Sequence, residues 1–224
     1  MRAFGKTLAA LALLGAGCSL AHADTPVPSW RGAVESFAAE HFKHPAWGYA
    51  HSRRDYALAK QLAREDGVAL DDDVLFAAAM LHDIAAFPPL FDPKGDHADQ
   101  AVAALPAKLK ELGFPEAKVP AVLEAVRTHM FDRKPVSAEA IYLHDADGLD
   151  WLGAIGVYRL VAIVDAGGGQ PDGATVVAML RQRLEQVPAG IVSSSGRRLL
   201  PARASSLRAY LDELSGQTEA LKTL

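Results

Sequence analysis

Apolar residues recur at helical spacing along most of the chain. Ala33, Phe37 and Phe42 open this pattern, and the stretch Tyr49–Asp66 continues it until Gly67. The same period covers a further set of segments: residues 96–105, 107–112, 116–130, 137–149, 152–164, 174–186 and 202–221. No segment alternates convincingly between apolar and polar positions. The pattern therefore predicts a single all-α domain of about eight helices.

One predicted helix is apolar on every side. Residues 74–81 carry no polar side chain, and the aspartates at 71–73 precede them. Acidic residues favour a helix N-terminus, and a helix that is apolar all round is typical of the centre of a domain. Loops rich in proline or glycine are expected at 86–95 and 166–172, and the polar residues 193–196 are expected to form a mobile surface turn.

The first 23 residues have the pattern of a bacterial signal peptide. A basic start precedes the apolar residues 7–20, which are too few to span a bilayer, and Ala21-His22-Ala23 follows. We expect cleavage after Ala23 and a periplasmic or secreted domain of residues 24–224, with a core at about 46–165, C-terminal helices at 172–224 and no transmembrane segment. A buried N-terminal helix and lipidation of Cys18 are the alternatives.

Composition limits the residue types that can carry out chemistry and the classes of ligand that the chain can bind. Half of the residues are apolar, 22% are charged and the formal net charge is −4, which is ordinary for a globular protein. Lysines and arginines are scattered, which argues against binding of a nucleic-acid polymer. The single cysteine, Cys18, lies in the expected signal peptide. Metal or acid–base chemistry in the mature chain must therefore come from His, Asp and Glu.

His82 and Asp83 directly follow the apolar helix. An aspartate after a long apolar run is costly unless a positive charge pairs with it, and a divalent metal ion is one such charge. Taken alone, the pair could equally form a helix C-terminal cap.

Two other segments carry side chains that suit a metal site. His51 shares a helix face with Arg54, and Asp145, Asp147 and Asp150 lie close together beside apolar residues. Like charges so close together favour a cation between them. Each segment also has a structural interpretation, because His51 could be a hydrogen-bonded core histidine and the aspartates could form a solvated turn.

In this order, the residues resemble the HD-domain metal-dependent phosphohydrolases, whose pattern is His, then His-Asp, then a distant Asp. Here the pattern is His51, His82-Asp83 and Asp147, and residues 145–156 (DADGLDWLGAIG) are similar to small bacterial HD proteins, some of which are nucleotide pyrophosphohydrolases. The resemblance covers about residues 46–163. It implies an HD helical bundle, a metal site built from these four residues, and metal-activated water that attacks phosphorus. Gly148 departs from the family, where arginine is common.

The resemblance also bears on the metal and its number. Mixed imidazole and carboxylate ligands suit Mn, Fe, Co, Ni or Zn, and allow Mg. His97 and His129 complete the ligand order of HD proteins that hold two ions, whereas in one-ion members such histidines bind phosphate or transfer protons. Because His97 follows Asp83 closely in the chain, we expect one ion, with two as the alternative. Asp83, His129 and His97 are then the expected catalytic residues, and His41, His44 and His144 are interpreted as surface or supporting residues.

Three cations are candidate phosphate contacts: Arg54, Lys94 and Arg159. Lys94 and Arg159 could instead be surface cations, and Asp150 could support the metal site. The sequence thus predicts an exported metal-dependent phosphohydrolase that acts on a small phosphate ester or nucleotide. A di-iron oxygenase or hydratase on the same fold and a non-catalytic periplasmic metal-binding protein are the alternatives, and the oligomeric state is not predicted.

Overall fold

The structure, a computed structural model, describes residues 29–163 and 173–224, and both ranges are helical. They contain no strand, two 3₁₀ turns at Ile84–Ala86 and Glu116–Lys118, and nine α-helices: α1 Ser29–His41, α2 Tyr49–Asp66, α3 Asp72–Leu81, α4 His97–Glu111, α5 Val119–Arg127, α6 Ala138–Asp150, α7 Gly153–Val161, α8 Gly173–Gly190 and α9 Ser194–Gln217. The prediction of an all-α protein is confirmed.

Some predictions lie outside these ranges. The expected signal peptide, residues 1–23, and the expected loop at 166–172 are not among the described residues. Within the described ranges, no helix combines the length and the apolar character that crossing a bilayer requires.

Helix α3 forms the centre of the bundle. The Asp71 carboxylate caps its first turn by accepting hydrogen bonds from the amides of Asp73 and Val74. Every residue from Val74 to Leu81 is buried, and α3 packs against α1, α2, α5 and α6. The chain therefore leaves this helix inside the protein, so the two residues that follow it, His82 and Asp83, are themselves buried.

Helices α2 and α6 pack against each other beside α3. On α2, the buried polar residues His51 and Asp55 lie one turn apart. On α6, Asp147 and Asp150 are buried in the same way. The α2–α6 contact thus brings polar side chains that are far apart in the chain into one interior space.

The segment before α9 differs from its prediction. Residues 193–196, expected as a mobile surface turn, are largely buried, and α9 begins there rather than at 202. The Ser193 hydroxyl accepts a hydrogen bond from the Gly196 amide, and Asp145 of α6 accepts from the amides of Val192 and Ser193. A Cβ at position 196 would lie 2.7 Å from Asp145 Oδ2. The prediction was wrong because short polar residues favour helix caps as well as turns.

Candidate metal centre

Three buried histidines each direct their Nε2 atom into one interior space. Each Nδ1 lies beside an oxygen: Asp150 Oδ2 for His51 at 2.9 Å, Ala79 O for His82 at 2.9 Å and Val126 O for His129 at 2.7 Å. Because carbonyl and carboxylate oxygens accept hydrogen bonds, each Nδ1 is the donor and each Nε2 presents a lone pair. This is the usual orientation of histidines that bind a metal ion.

Carboxylates surround these inward-facing nitrogens. His51 Nε2 lies 3.2 Å from His82 Nε2, 3.3 Å from Asp147 Oδ1 and 3.6 Å from Asp83 Oδ2. The structure therefore brings together the four residues that the sequence pointed to as metal ligands, from α2, from the end of α3 and from α6. Asp145, two residues before Asp147, instead binds the amides that precede α9.

Asp55 belongs to the same cluster, although the sequence analysis did not select it. It is fully buried, and its carboxylate offers an oxygen within 4.8 Å of ligand atoms of His51, His82 and Asp147. Burial raises the pKa of Asp55 to about 8. Its position four residues after His51 was the available signal, because residues four apart share a helix face.

The electrostatics of the cluster favour positive charge. Burial lowers the pKa of His82, but the combined effects of Asp83, Asp55 and Asp147 outweigh it and raise that pKa to about 10. Burial raises the pKa of Asp83, but the combined attraction of His82, His51 and His129 outweighs it and holds that pKa well below its ordinary value. Converging nitrogen lone pairs and carboxylates that need a cation fit a divalent transition metal.

His97 and His129 lie on the other side of Asp83. Asp83 Oδ2 is 3.2 Å from His82 Nε2, whereas Asp83 Oδ1 is 3.5 Å from His97 Nε2 and 3.8 Å from His129 Nε2. The two histidines approach each other to 3.3 Å. Our reason for expecting one ion, that His97 follows Asp83 too closely in the chain to reach a shared site, is therefore wrong, because His97 begins α4 facing Asp83.

Arg159 is a buried part of the centre rather than a surface cation. Its Nε donates to the carbonyl oxygen of Ala46 at 2.6 Å, and Nη1 lies 3.3 Å from Asp150 and 3.5 Å from Asp147. Its guanidinium also stacks over the Trp151 ring, 3.5 Å from the ring centroid. Only 1% of Arg159 is exposed, so its position is tightly fixed.

The other two candidate phosphate contacts lie elsewhere. Arg54 donates two hydrogen bonds to Asp150, at 2.8 and 3.1 Å, and Asp150 in turn accepts the Nδ1–H of His51. Arg54 thus stands behind Asp150 and supports the orientation of His51 through it. Lys94 is exposed on the loop between α3 and α4, and the described residues that line the cavity beside the centre do not include it.

The remaining histidines among the described residues are not part of the cluster. His41 and His44 stack on Phe37 and Trp47. His144 is fully buried, with its ring nitrogens beside the carbonyl oxygens of Thr128 and Gly190, and it connects α6 to the segments around these residues.

A cavity of about 280 Å³ opens beside the centre. Its lining includes three kinds of residue: the ligand candidates Asp83, His97 and Asp147; the aromatic residues Trp47, Phe91 and Trp151; and the cations Arg159 and Arg183. A space bounded by an acidic and imidazole wall, aromatic rings and guanidinium groups suits a small anionic ligand that carries a ring.

Arg183 of α8 is a second residue that the sequence analysis did not select. Its guanidinium lies 5.0 Å from the ring centroids of both Phe131 and Trp151, and Nη1 donates to Gln186 at 3.3 Å. Its Nε is buried without a hydrogen-bond partner, and burial lowers its pKa. This cation therefore retains hydrogen-bonding capacity at the edge of the cavity.

Comparisons with known proteins agree with this arrangement. Residues 48–152 match the family model of the HD domain. A structure from Lactobacillus plantarum has a TM-score of 0.66 and 20% identity, covering 88% of this chain and 100% of that one. Bacillus subtilis YpgQ in complex with ADP has a TM-score of 0.63 and 20% identity, covering 84% and 97%.

An HD-superfamily hydrolase from Bacillus thuringiensis has a TM-score of 0.59 and 21% identity, covering 85% of this chain and 97% of its own. No curated protein matches the chain. The segment that matches the HD model contains His51, the His82-Asp83 pair and Asp147, and the resemblance drawn from these residues is confirmed. The chain therefore contains, at residues 48–152, the HD domain of the HD-superfamily metal-dependent hydrolases.

Proposed function

We propose that the protein hydrolyses a small phosphate ester or nucleotide. The buried His/Asp centre, aromatic rings and two guanidinium groups line one cavity, and this observation carries the proposal. A bound divalent metal supplies a water of lowered pKa and polarises the phosphoryl group. The ADP bound to YpgQ, which shares the fold, supports a nucleotide as the substrate class.

The residues of the centre other than Asp55 have proposed roles. His51, His82, Asp83 and Asp147 hold the ion, while Asp150 fixes the His51 ring through its Nδ1–H. His97 and His129, beyond Asp83, bind a phosphate oxygen or pass a proton to the leaving group.

Positive side chains complete the proposed substrate site. Arg159, held by Ala46 and Trp151, neutralises phosphate charge. Arg54 acts through Asp150, and Lys94 remains a candidate contact for a part of the substrate that extends out of the cavity.

We propose one ion of Mn, Fe, Co, Ni or Zn per chain. Two groups of donors overlap at His82: one contains His51, Asp55 and Asp147, and the other contains Asp83 and His129. Because His82 Nδ1 already donates to Ala79, only its Nε2 can bind metal, and this shared nitrogen supports a single ion to which His51 and Asp147 of the first group and Asp83 of the second contribute.

Export is also proposed, and it is supported only by the charged, apolar and Ala-His-Ala segments of residues 1–23. Sequencing the N-terminus of protein recovered from the periplasm tests it. A chain that begins at Asp24 agrees with cleavage after Ala23, whereas a chain that begins at a lipidated Cys18 contradicts that cleavage site.

The proposed function is tested with purified, metal-stripped protein. Phosphate release is measured from a panel of phosphomonoesters and of nucleoside mono-, di- and triphosphates, with Mn, Mg, Co or Ni added in turn. We expect turnover of at least one nucleotide that depends on added metal. Absence of phosphate or pyrophosphate release from the whole panel, by protein shown to bind metal, contradicts the proposal.

Replacing Arg183 with Gln tests the substrate class further. Because a guanidinium bond to phosphate is charge-assisted, we expect kcat/KM for a nucleoside triphosphate to fall about 10- to 100-fold. Arg181→Gln is the matched control, since it removes the same charge from an exposed position two residues away on α8. Equal kinetics for the two variants would mean that Arg183 does not contact the substrate.

A further inference from the structure

Asp55 carries a buried carboxyl group that the roles proposed above do not use. It lies on the inner face of α2, no part of it is exposed, and neither of its carboxylate oxygens has a hydrogen-bond partner. Buried carboxylates are normally paired or hydrogen-bonded, because an uncompensated buried charge is strongly unfavourable. A buried aspartate at this position therefore requires an explanation.

Two histidine ring nitrogens lie beside the Asp55 carboxylate. Its Oδ2 lies 3.0 Å from His51 Nε2 and 3.8 Å from His82 Nε2. Both rings donate through Nδ1, to Asp150 and to Ala79, so Nε2 of each ring, when it carries no proton, presents a lone pair to the carboxylate. Lone pairs that face each other at these distances repel unless a proton or a cation lies between them.

Arg159 does not supply that charge to Asp55. Its Nη2 is directed at His51 Nε2, at 3.2 Å, and its other polar contacts are with Ala46, Asp147 and Asp150. Arg54, the residue directly before Asp55 on α2, pairs with Asp150.

We propose that Asp55 is an additional ligand of the metal ion in this centre. Asp55 shares a set of donors with His51, His82 and Asp147, whose ligand atoms all lie within 4.8 Å of one another. The HD pattern of the sequence analysis assigns only one histidine to α2, so Asp55 adds a carboxylate to that set. Together with Asp83 and Asp147 it gives the centre three carboxylates and two imidazoles.

A third carboxylate changes the metal that the centre prefers. Carboxylate oxygens suit Mn²⁺ and other hard cations, whereas imidazole-rich sets suit Zn²⁺ and Cu²⁺. We therefore expect Asp55 to increase the affinity for Mn²⁺ more than the affinity for Zn²⁺. This inference rests on the metal centre of the proposed function and is independent of the substrate.

The test uses Asp55→Asn, which keeps the side-chain shape and removes the charge. Mn²⁺ and Zn²⁺ affinities of the metal-stripped full chain are measured by competition with a fluorescent chelator. We expect the Kd for Mn²⁺ to rise at least about tenfold, since even residues that only support a ligand change metal affinity by about 10- to 100-fold. The Kd for Zn²⁺ should rise less. Glu65→Gln removes the same charge from an exposed position on α2 and should change neither affinity.

Thermal unfolding separates a ligand from a structural residue. If Asp55 is a ligand, the metal-free Asp55→Asn protein should unfold at the wild-type temperature or above it, because no buried charge is left unpaired. The increase in Tm that Mn²⁺ gives to the wild type should shrink in the variant. Wild-type Mn²⁺ affinity together with a lowered metal-free Tm would overturn the proposal.

A second variant, Asp55→Val, covers the case in which the amide prevents folding. Valine has a similar volume and no polar atom, so loss of Mn²⁺ affinity in either variant that folds supports the proposal. Retained affinity in that variant, or failure of both variants to fold without metal, overturns it. Because no readout uses a substrate, a failed phosphate-release panel leaves this result intact.

Discussion

Asp83→Ala should lose its metal and its turnover together. Asp83 is the carboxylate that faces both sides of the centre, with one oxygen 3.2 Å from His82 Nε2 and the other 3.5 Å from His97 Nε2. The substitution removes an anionic metal ligand, and it leaves the imidazoles of His82 and His97 without the carboxylate beside them. We expect turnover to fall by more than about 10⁴-fold, beyond the effect of losing one general acid or base.

Metal content after dialysis, measured by elemental analysis, and phosphate release check this expectation. Circular dichroism shows whether the variant keeps its helices. The control is Asp212→Ala, which makes the same chemical change at an exposed position on α9. An Asp83→Ala protein with full metal content and full activity would contradict the assignment of the whole centre.

His129→Ala should keep one equivalent of metal and lose about 10²- to 10⁴-fold in turnover, the usual contribution of a proton-transfer residue. The His129 ring is buried, its Nδ1 donates to Val126, and its Nε2 lies 3.3 Å from His97 Nε2. It is thus fixed beside the cavity but on the far side of Asp83 from His51.

The number of ions decides between two interpretations of His129. A wild type with two ions and a variant with one would identify His129 as a ligand of a second ion and contradict the one-ion proposal. If both ions are iron and the protein consumes oxygen, the oxygenase alternative gains over hydrolysis. His41→Ala, at an exposed position on α1, is the control and should change neither the number of bound ions nor the rate of turnover.

Sequence order was sufficient to find the ligands of the HD pattern. His82 and Asp83 follow a helix that is apolar on every side, and His51 and Asp147 lie at the positions that the resemblance requires. Asp55 was missed because it follows two arginines on a helix with many charged residues, and such a residue usually faces solvent. The packing of α2 against α3 and α6 buries it, and that is a tertiary property.

The residues contributed by the C-terminal helices were harder to predict. Arg181 and Arg183 are equivalent in sequence, and only the packing of α8 against α6 and α7 decides which of them reaches the cavity. Arg159 was also open to interpretation as a surface cation, because its partners, Ala46 and Trp151, are not recognisable as such from the chain.

The distribution of the ligands over separate helices has a consequence for the lifetime of the protein. His51 belongs to α2, His82 and Asp83 follow α3, and Asp147 belongs to α6, so a bound ion cross-links three helices that must separate before the chain can unfold. Because an ion that binds only the folded chain stabilises it, we expect metal supply to change the rate at which proteases degrade the protein. A cell short of the metal would lose the protein itself as well as its activity.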